Sequence, residues 1–319
     1  MRDRLRALAS AAGGHLWTIG ADLVARVLPG PLPPDEPWEI TVPDDRCSHV
    51  KIGGRMRDTG SETLVVVVHG LGGHRDSPYV HKAARAIDAR GWSCLRIDLR
   101  GADGLGEDYY HAALTSDLHA VVAACPRFTR VFVVGYSLGG HLTLRFATEA
   151  IDARVAAVAA VCSPLDLGAS ATAFDRRRTW IYRVHVLRGL RRAYAEVARR
   201  RDVVTPPTKV TRVRTIRDWD AQVVAPRHGF ASADDYYARA SVGPRLRDLA
   251  VPAAWFGTRW DPMVPASTVL PSIALAGDKL QVRWFDRGGH VGYPSDVADG
   301  RPLEDAVLDF FSAQTTKAR

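Results

Sequence analysis

Cysteine is scarce in this 319-residue chain, and what there is stands apart: Cys47, Cys94, Cys125 and Cys162 form no CxxC pair and no metal-ligand spacing. A disulfide framework or zinc site is therefore not expected. Three of the four sit in or beside apolar runs, as small buried hydrophobes in a reducing compartment do. No stretch approaches the roughly 18 consecutive apolar residues of a membrane span. The opening MRDRLRALASAAGGHLW is basic but has no sustained apolar core, so a secretory leader is not expected and the cytoplasm is the expected location. Internal repeats and low-complexity tracts are absent, as are zinc-finger, RRM and helix-turn-helix signatures.

The chain has a formal charge of +8. Residues 166–248 hold 18 of the 43 Lys and Arg but only 9 of the 35 acids, so one segment carries the whole excess. Its arginines have no aromatic stacking platform between them, and no nucleic-acid partner is expected. Leu5, Leu8, Ala12, Leu16, Ile19, Leu23 and Val27 recur at helical spacing. That stripe is expected to pack against the body of the protein; the alternative is a weak contact with an anionic membrane surface.

Apolar runs of strand length alternate with helical stretches. Glu39–Val42, Ser48–Ile52, Leu64–Val68, Trp92–Asp98, Val131–Val134, Val155–Val161, Val251–Phe256 and Leu280–Phe285 read as strands. Tyr79–Arg90, Ser116–Ala124, Leu138–Ala150 and Leu303–Ala313 read as helices. Such alternation predicts an α/β fold with a mostly parallel sheet covered by helices on both faces. The rhythm breaks between Ser163 and Val251, too long a gap for a loop. The expected organisation is a core of residues 1–163, with a helical segment over 1–30, completed by residues 251–319, with a helical cap inserted over 164–250. Such a cap would cover the strand ends, where open α/β sheets place ligands.

Gly135-Tyr136-Ser137-Leu138-Gly139 fits G-x-S-x-G. A nucleophilic serine on a sharp strand-to-helix turn needs small neighbours, and here the pattern follows the apolar VFVV and opens an amphipathic helix. A serine hydroxyl also needs a base, and the base an acid to hold its tautomer. His290, in DRGGHVGY after the last strand, is the expected base, and Asp261, in GTRWDPMVP after the preceding one, the expected acid. Asp286 is the alternative acid, but four residues before His290 it is expected to support the loop instead. The oxyanion would be received by the backbone N–H groups of Leu138, at a helix start, and Leu71, in the HGLGG loop after LVVVV. His69 in that loop is expected to hydrogen-bond locally.

With these residues assembled, most of the chain resembles the YheT-like branch (AB hydrolase 4) of the α/β-hydrolases. GHLWTI near residue 14 is similar to a GHLQT-like start, and HGLGG, Leu99-Arg100-Gly101, YYHAALTSDL and GYSLGG follow in family order. The most specific match lies in the cap: Arg217-Asp218-Trp219-Asp220, Arg227-His228-Gly229-Phe230, Asp235-Tyr236-Tyr237 and Ser241. His141 stands where the family usually has asparagine, and Trp260 where it usually has the first aspartate of an Asp-Asp-Pro run. The resemblance implies an α/β-hydrolase fold and a triad of Ser137, Asp261 and His290. It further implies a carboxylic-ester hydrolase acting on short to medium acyl chains or lipid-like esters without a metal or organic cofactor. Two other readings share these residues: an acyltransferase passing the acyl group to an alcohol, and a binding module on a hydrolase scaffold with an idle triad.

Overall fold

A computed structural model describes residues 12–20, 23, 27, 30–102, 104 and 106–315. Eight strands form one sheet: β1 (Glu36–Asp44), β2 (Ser48–Arg57), β3 (Thr63–Val68), β4 (Ser93–Ile97), β5 (Arg130–Tyr136), β6 (Val155–Val161), β7 (Ala253–Thr258) and β8 (Leu280–Phe285). Their order is β1-β2-β4-β3-β5-β6-β7-β8. The β1–β2 and β2–β4 pairs are antiparallel, and every later pair is parallel.

β3 shows why an uninterrupted apolar run suits the middle of this sheet. All six residues of TLVVVV are buried. Leu64, Val66 and Val68 enter one core, while Val65 and Val67 enter the other, on the opposite face. β5 divides likewise, with Val131 and Val133 on the first side and Phe132, Val134 and Tyr136 on the second. Alternating side chains thus feed two cores, each buried aliphatic contributing about 1.5–3 kcal/mol. The second face is covered by helices α2 (Pro78–Ala89) and α12 (Leu303–Thr315); Phe311 of α12 stacks on Phe132 at 4.5 Å between centroids. On the first face lie α3 (Ser116–Ala123) and α4 (Leu138–Phe146).

Between β6 and β7 the chain is helical. It runs through α5 (Leu167–Phe174), α6 (Trp180–Arg200), three single-turn helices α7 (Pro207–Val210), α8 (Ile216–Trp219) and α9 (Ala225–His228), then α10 (Ala233–Ala240). A π-helical turn, Asp220–Val224, joins α8 to α9. The cap insertion expected from the broken rhythm is therefore present. A helix absent from the sequence reading, α11 (Ala266–Ile273), follows β7; its internal Pro271 and short span had masked it.

A buried ionic cluster fastens this insertion to the core. Arg100 donates to both carboxylate oxygens of Asp117 (2.6 and 3.0 Å) and to Asp44 and Asp108. Arg227, from α9, reaches down to Asp108 at 2.8 Å. A cap residue also satisfies core backbone, Tyr236 Oη accepting from Ala112 N–H (2.9 Å), while within the insertion Ser241 Oγ accepts from Leu167 N–H (3.0 Å). The cap motif thus acts largely as a fastening.

The N-terminal stripe corrects one expectation. Leu5 and Leu8 lie outside the described residues, while Ala12, Leu16, Ile19, Leu23 and Val27 are exposed instead of packed inward. Helix α1 (residues 12–20) docks by its other side. A Cβ at Gly14 would fall on the Trp260 carbonyl oxygen, so glycine permits a contact closer than any side chain allows. Thr18, one turn on, faces the same loops.

Candidate active site

Ser137 is the residue between β5 and α4, with φ 52° and ψ −120°. For a residue with a Cβ this is strained backbone, the price of lifting the hydroxyl off a sharp turn. Glycines beside Ser137 and in the facing HGLGG loop make the turn feasible. A Cβ at Gly139 would lie 2.6 Å from the Val68 carbonyl oxygen, and one at Gly70 would lie 3.0 Å from the Ser137 Cβ.

The structure brings the three expected side chains together. His290 Nε2 lies 2.9 Å from Ser137 Oγ, and His290 Nδ1 lies 2.8 Å from Asp261 Oδ2. Asp261 Oδ1 accepts from Met263 N–H (2.8 Å) and Val264 N–H (2.9 Å), which fixes the carboxylate plane. With Asp261 drawing the proton to Nδ1, Nε2 is left to accept from the serine hydroxyl. Asp261 and His290 are both buried. Asp286 is exposed at the end of β8 and has no hydrogen bond or ion pair among the described residues, so it touches neither the His290 imidazole nor its loop through a polar contact.

The HGLGG loop is clamped by side chains. Gly70 N–H donates to Tyr79 Oη (2.9 Å), Gly72 N–H to Tyr110 Oη (2.8 Å), and Gly73 N–H to the Gly70 carbonyl (3.1 Å). Leu71 N–H is left without an acceptor among the described residues, as is Leu138 N–H at the start of α4. His69 bonds within the loop, as expected, but also reaches outside it. Its Nε2 accepts from Leu99 N–H (3.0 Å), so its proton is on Nδ1, which donates to the Gly70 carbonyl (2.8 Å).

Three supports were not foreseen. Thr18 Oγ1 accepts from His290 N–H (2.8 Å) while donating to the Gly14 carbonyl (2.7 Å), so α1 braces the base. The only trace of this in the sequence was the GHLWT segment. Cys162, φ 52°, lies behind the site with Sγ 2.9 Å from Tyr293 Oη, and burial pushes its thiol well above the ordinary range. His141 Nδ1 and Nε2 lie 2.9 and 3.0 Å from the carbonyls of Pro164 and Ala240, tying α4 to the end of α10; burial lowers its pKa.

Metal ligation fits poorly at the two clusters of suitable atoms found among the described residues. Cys162, Asp261 and His290 present theirs within 4.8 Å of one another, but the imidazole–carboxylate spacing is that of a shared proton and the thiol is held protonated. Asp44, Cys47 and Asp108 form the other group, where Arg100 and Arg227 already supply positive charge.

A cavity of about 1020 Å³ opens over these residues, at the upper end of the range for small-molecule sites. Ser137, His290, Leu71 and Leu138 form part of its floor, and Phe174, Tyr182, Val186 and Trp219 of the insertion form part of its walls. Asp220 also lines it, hydrogen-bonded to Tyr237 Oη at 2.7 Å; burial pushes its carboxyl up to about 7.

Comparison with known proteins places the chain in a family. The α/β hydrolase fold family matches residues 63–296. A protein of Escherichia coli (strain K12) named as an esterase, YheT, is 31% identical over 241 residues, covering 72% of this chain and 70% of its own. Phospholipase ABHD3 of Mus musculus is 23% identical over 245 residues, 74% of this chain and 59% of its own length. Among solved structures, the Pyrococcus furiosus esterase Pf2001 superimposes with a TM-score of 0.59 at 16% identity, covering 90% of this chain and 97% of that one, a likeness of fold alone. The chain belongs to the α/β-hydrolase fold family, in its YheT-related esterase group.

Proposed function

We propose that this protein is a serine esterase that cleaves carboxylic esters with short to medium acyl chains, or lipid-like esters, through an acyl-enzyme. The observation that carries the reading is the continuous chain Ser137 Oγ–His290 Nε2 and His290 Nδ1–Asp261 Oδ2, at 2.9 and 2.8 Å, on the floor of an apolar-walled cavity. In this mechanism Ser137 Oγ attacks the ester carbonyl carbon as its proton passes to His290 Nε2. Asp261 stabilises the imidazolium. The carbonyl oxygen, now an oxyanion, is received by Leu71 N–H and Leu138 N–H, whose lack of other acceptors supports that role. Collapse expels the alcohol, which takes the proton from His290. Water then enters, gives a proton to the same nitrogen and attacks the acyl carbon; the bond from that carbon to Ser137 Oγ breaks, Oγ takes the proton back from His290 Nε2, and the acid is released.

In this reading residues 164–250 act as a cap that shapes the acyl pocket over a core formed by 1–163 and 251–319. Four free cysteines, three of them buried, support work in a reducing compartment. Among the described residues no helix is long and apolar enough to cross a membrane. Labelling by a fluorophosphonate, followed by a series of p-nitrophenyl esters of increasing acyl length, tests the assignment. A labelled serine other than Ser137, or no turnover at any length, would overturn it.

A further inference from the structure

The mouth of the cavity carries aliphatic and aromatic side chains that a water-facing entrance would not select. Ile19, Leu23 and Ile181 line the cavity and are exposed, so they stand on its rim. Leu16 beside them on α1, and Trp180 and Val184 beside Ile181 on α6, extend the patch; all six side chains are between 46% and 68% exposed. α1 and α6 meet directly here, with His15 Nδ1 2.7 Å from Tyr182 Oη and the two rings stacked at 5.7 Å. The patch is therefore one surface spanning two elements. Contiguous exposed apolar surface next to a site marks an interaction face.

Charge chooses between occupants. Ile181, Val184, Arg188 and Arg192 recur every three or four residues and share one side of α6, with Arg177 and Arg178 just before its start. All four arginines are exposed, and none has a hydrogen bond or ion pair among the described residues. Arg188 and Arg192 themselves line the cavity. Apolar side chains, a tryptophan at their edge and unpaired cations on one face are what an anionic lipid surface binds: the first enter the headgroup boundary and the last meet the lipid charges. A second copy of the chain placed on the same face by two-fold symmetry would set these arginines against each other.

We propose that this face docks on an anionic lipid bilayer, with the cavity mouth turned toward the membrane so that lipid-like molecules enter without crossing water. Docking is independent of the chemistry proposed for Ser137, and a Ser137→Ala full-length protein isolates it. That protein is sedimented with vesicles of phosphatidylcholine alone and of phosphatidylcholine with about one-third phosphatidylglycerol, at about 0.1 M and about 0.5 M salt. The expected result is at least roughly tenfold stronger partition onto the anionic vesicles, weakened by salt. Adding Trp180→Gln and Val184→Gln should lower that partition about tenfold, and adding Arg177→Glu and Arg178→Glu should remove the preference for anionic lipid. In the Ser137 background these four substitutions should leave turnover of a soluble short-chain ester unchanged, which also shows that the variants fold. Equal partition onto both vesicles, no partition, or undiminished partition of the Trp180 and Val184 variant would overturn the proposal. So would a dimer in sedimentation equilibrium that this variant dissolves, which would assign the face to a second copy.

Discussion

Thr18 and His290 are 272 residues apart in sequence, yet the threonine hydroxyl accepts the backbone N–H of the histidine at 2.8 Å. The same hydroxyl donates to Gly14 one turn back, so the histidine loop is held by a helix at the other end of the chain. Thr18→Val keeps the shape and removes both bonds. We expect kcat to fall about tenfold with KM nearly unchanged, the kinetic equivalent of one lost hydrogen bond at a positioning residue. Thr18→Ser should restore most of the rate. A change in KM alone would show that Thr18 serves only the cavity wall.

The proposed acid, Asp261, can be told apart from the other candidate, Asp286. Asp261→Asn should lower kcat on the order of 10³–10⁴-fold by favouring the wrong imidazole tautomer. Asp286→Asn, at an exposed carboxylate without a partner among the described residues, should change it less than about twofold. Steady-state kinetics of the two variants decides the matter, and reversed effects would move the acid to Asp286.

Arg227 carries the attachment of the cap. Replacing it with methionine leaves Asp108 buried and short of a partner, a type of loss that costs about 3–5 kcal/mol. Urea unfolding should show a lowered midpoint. If loss of activity preceded global unfolding, the insertion would be detaching ahead of the core.

Asp220 predicts a pH dependence of stability. Burial pushes its carboxyl up to about 7, from the ordinary 3.8 of a solvated aspartate that represents the unfolded chain. A group with a raised folded pKa contributes stability that is fully present below about pH 4 and is lost as pH rises through about 7. Burial lowers the folded pKa of His111 and brings that of His228 to about 3, so these two act in the opposite direction and mask the trend in the parent protein. The difference between Asp220→Asn and the parent removes them. The stability of the variant relative to the parent should rise by roughly 2–3 kcal/mol between about pH 5 and pH 8. A constant difference would mean that Asp220 stays ionised in the fold.

Local patterns made much of this molecule legible. LVVVV, WSCLRID and VFVV announced buried strands because parallel strands covered on both faces need continuous apolar residues. GYSLGG announced the elbow because only glycines permit its close approaches, and His290 and Asp261 were placed by their positions after the last two strands. What stayed hidden depends on contacts between distant parts of the chain. Nothing local tells that Tyr79 and Tyr110 cap Gly70 and Gly72, or that Thr18 reaches His290. The apolar stripe of α1 was read as core-facing because periodicity gives an amphipathic face but not its direction. The Gly14 contact with Trp260, invisible in periodicity, turned that face outward.

Mass spectrometry of the fluorophosphonate-treated protein, set beside the turnover of Ser137→Ala, tests the central claim most directly. The account predicts a single adduct on Ser137, lost in Ser137→Ala, and ester turnover in that variant below about one per cent of the parent with the fold unchanged by circular dichroism. An adduct elsewhere, or a Ser137→Ala protein that still hydrolyses esters at a substantial fraction of the parent rate, would contradict it.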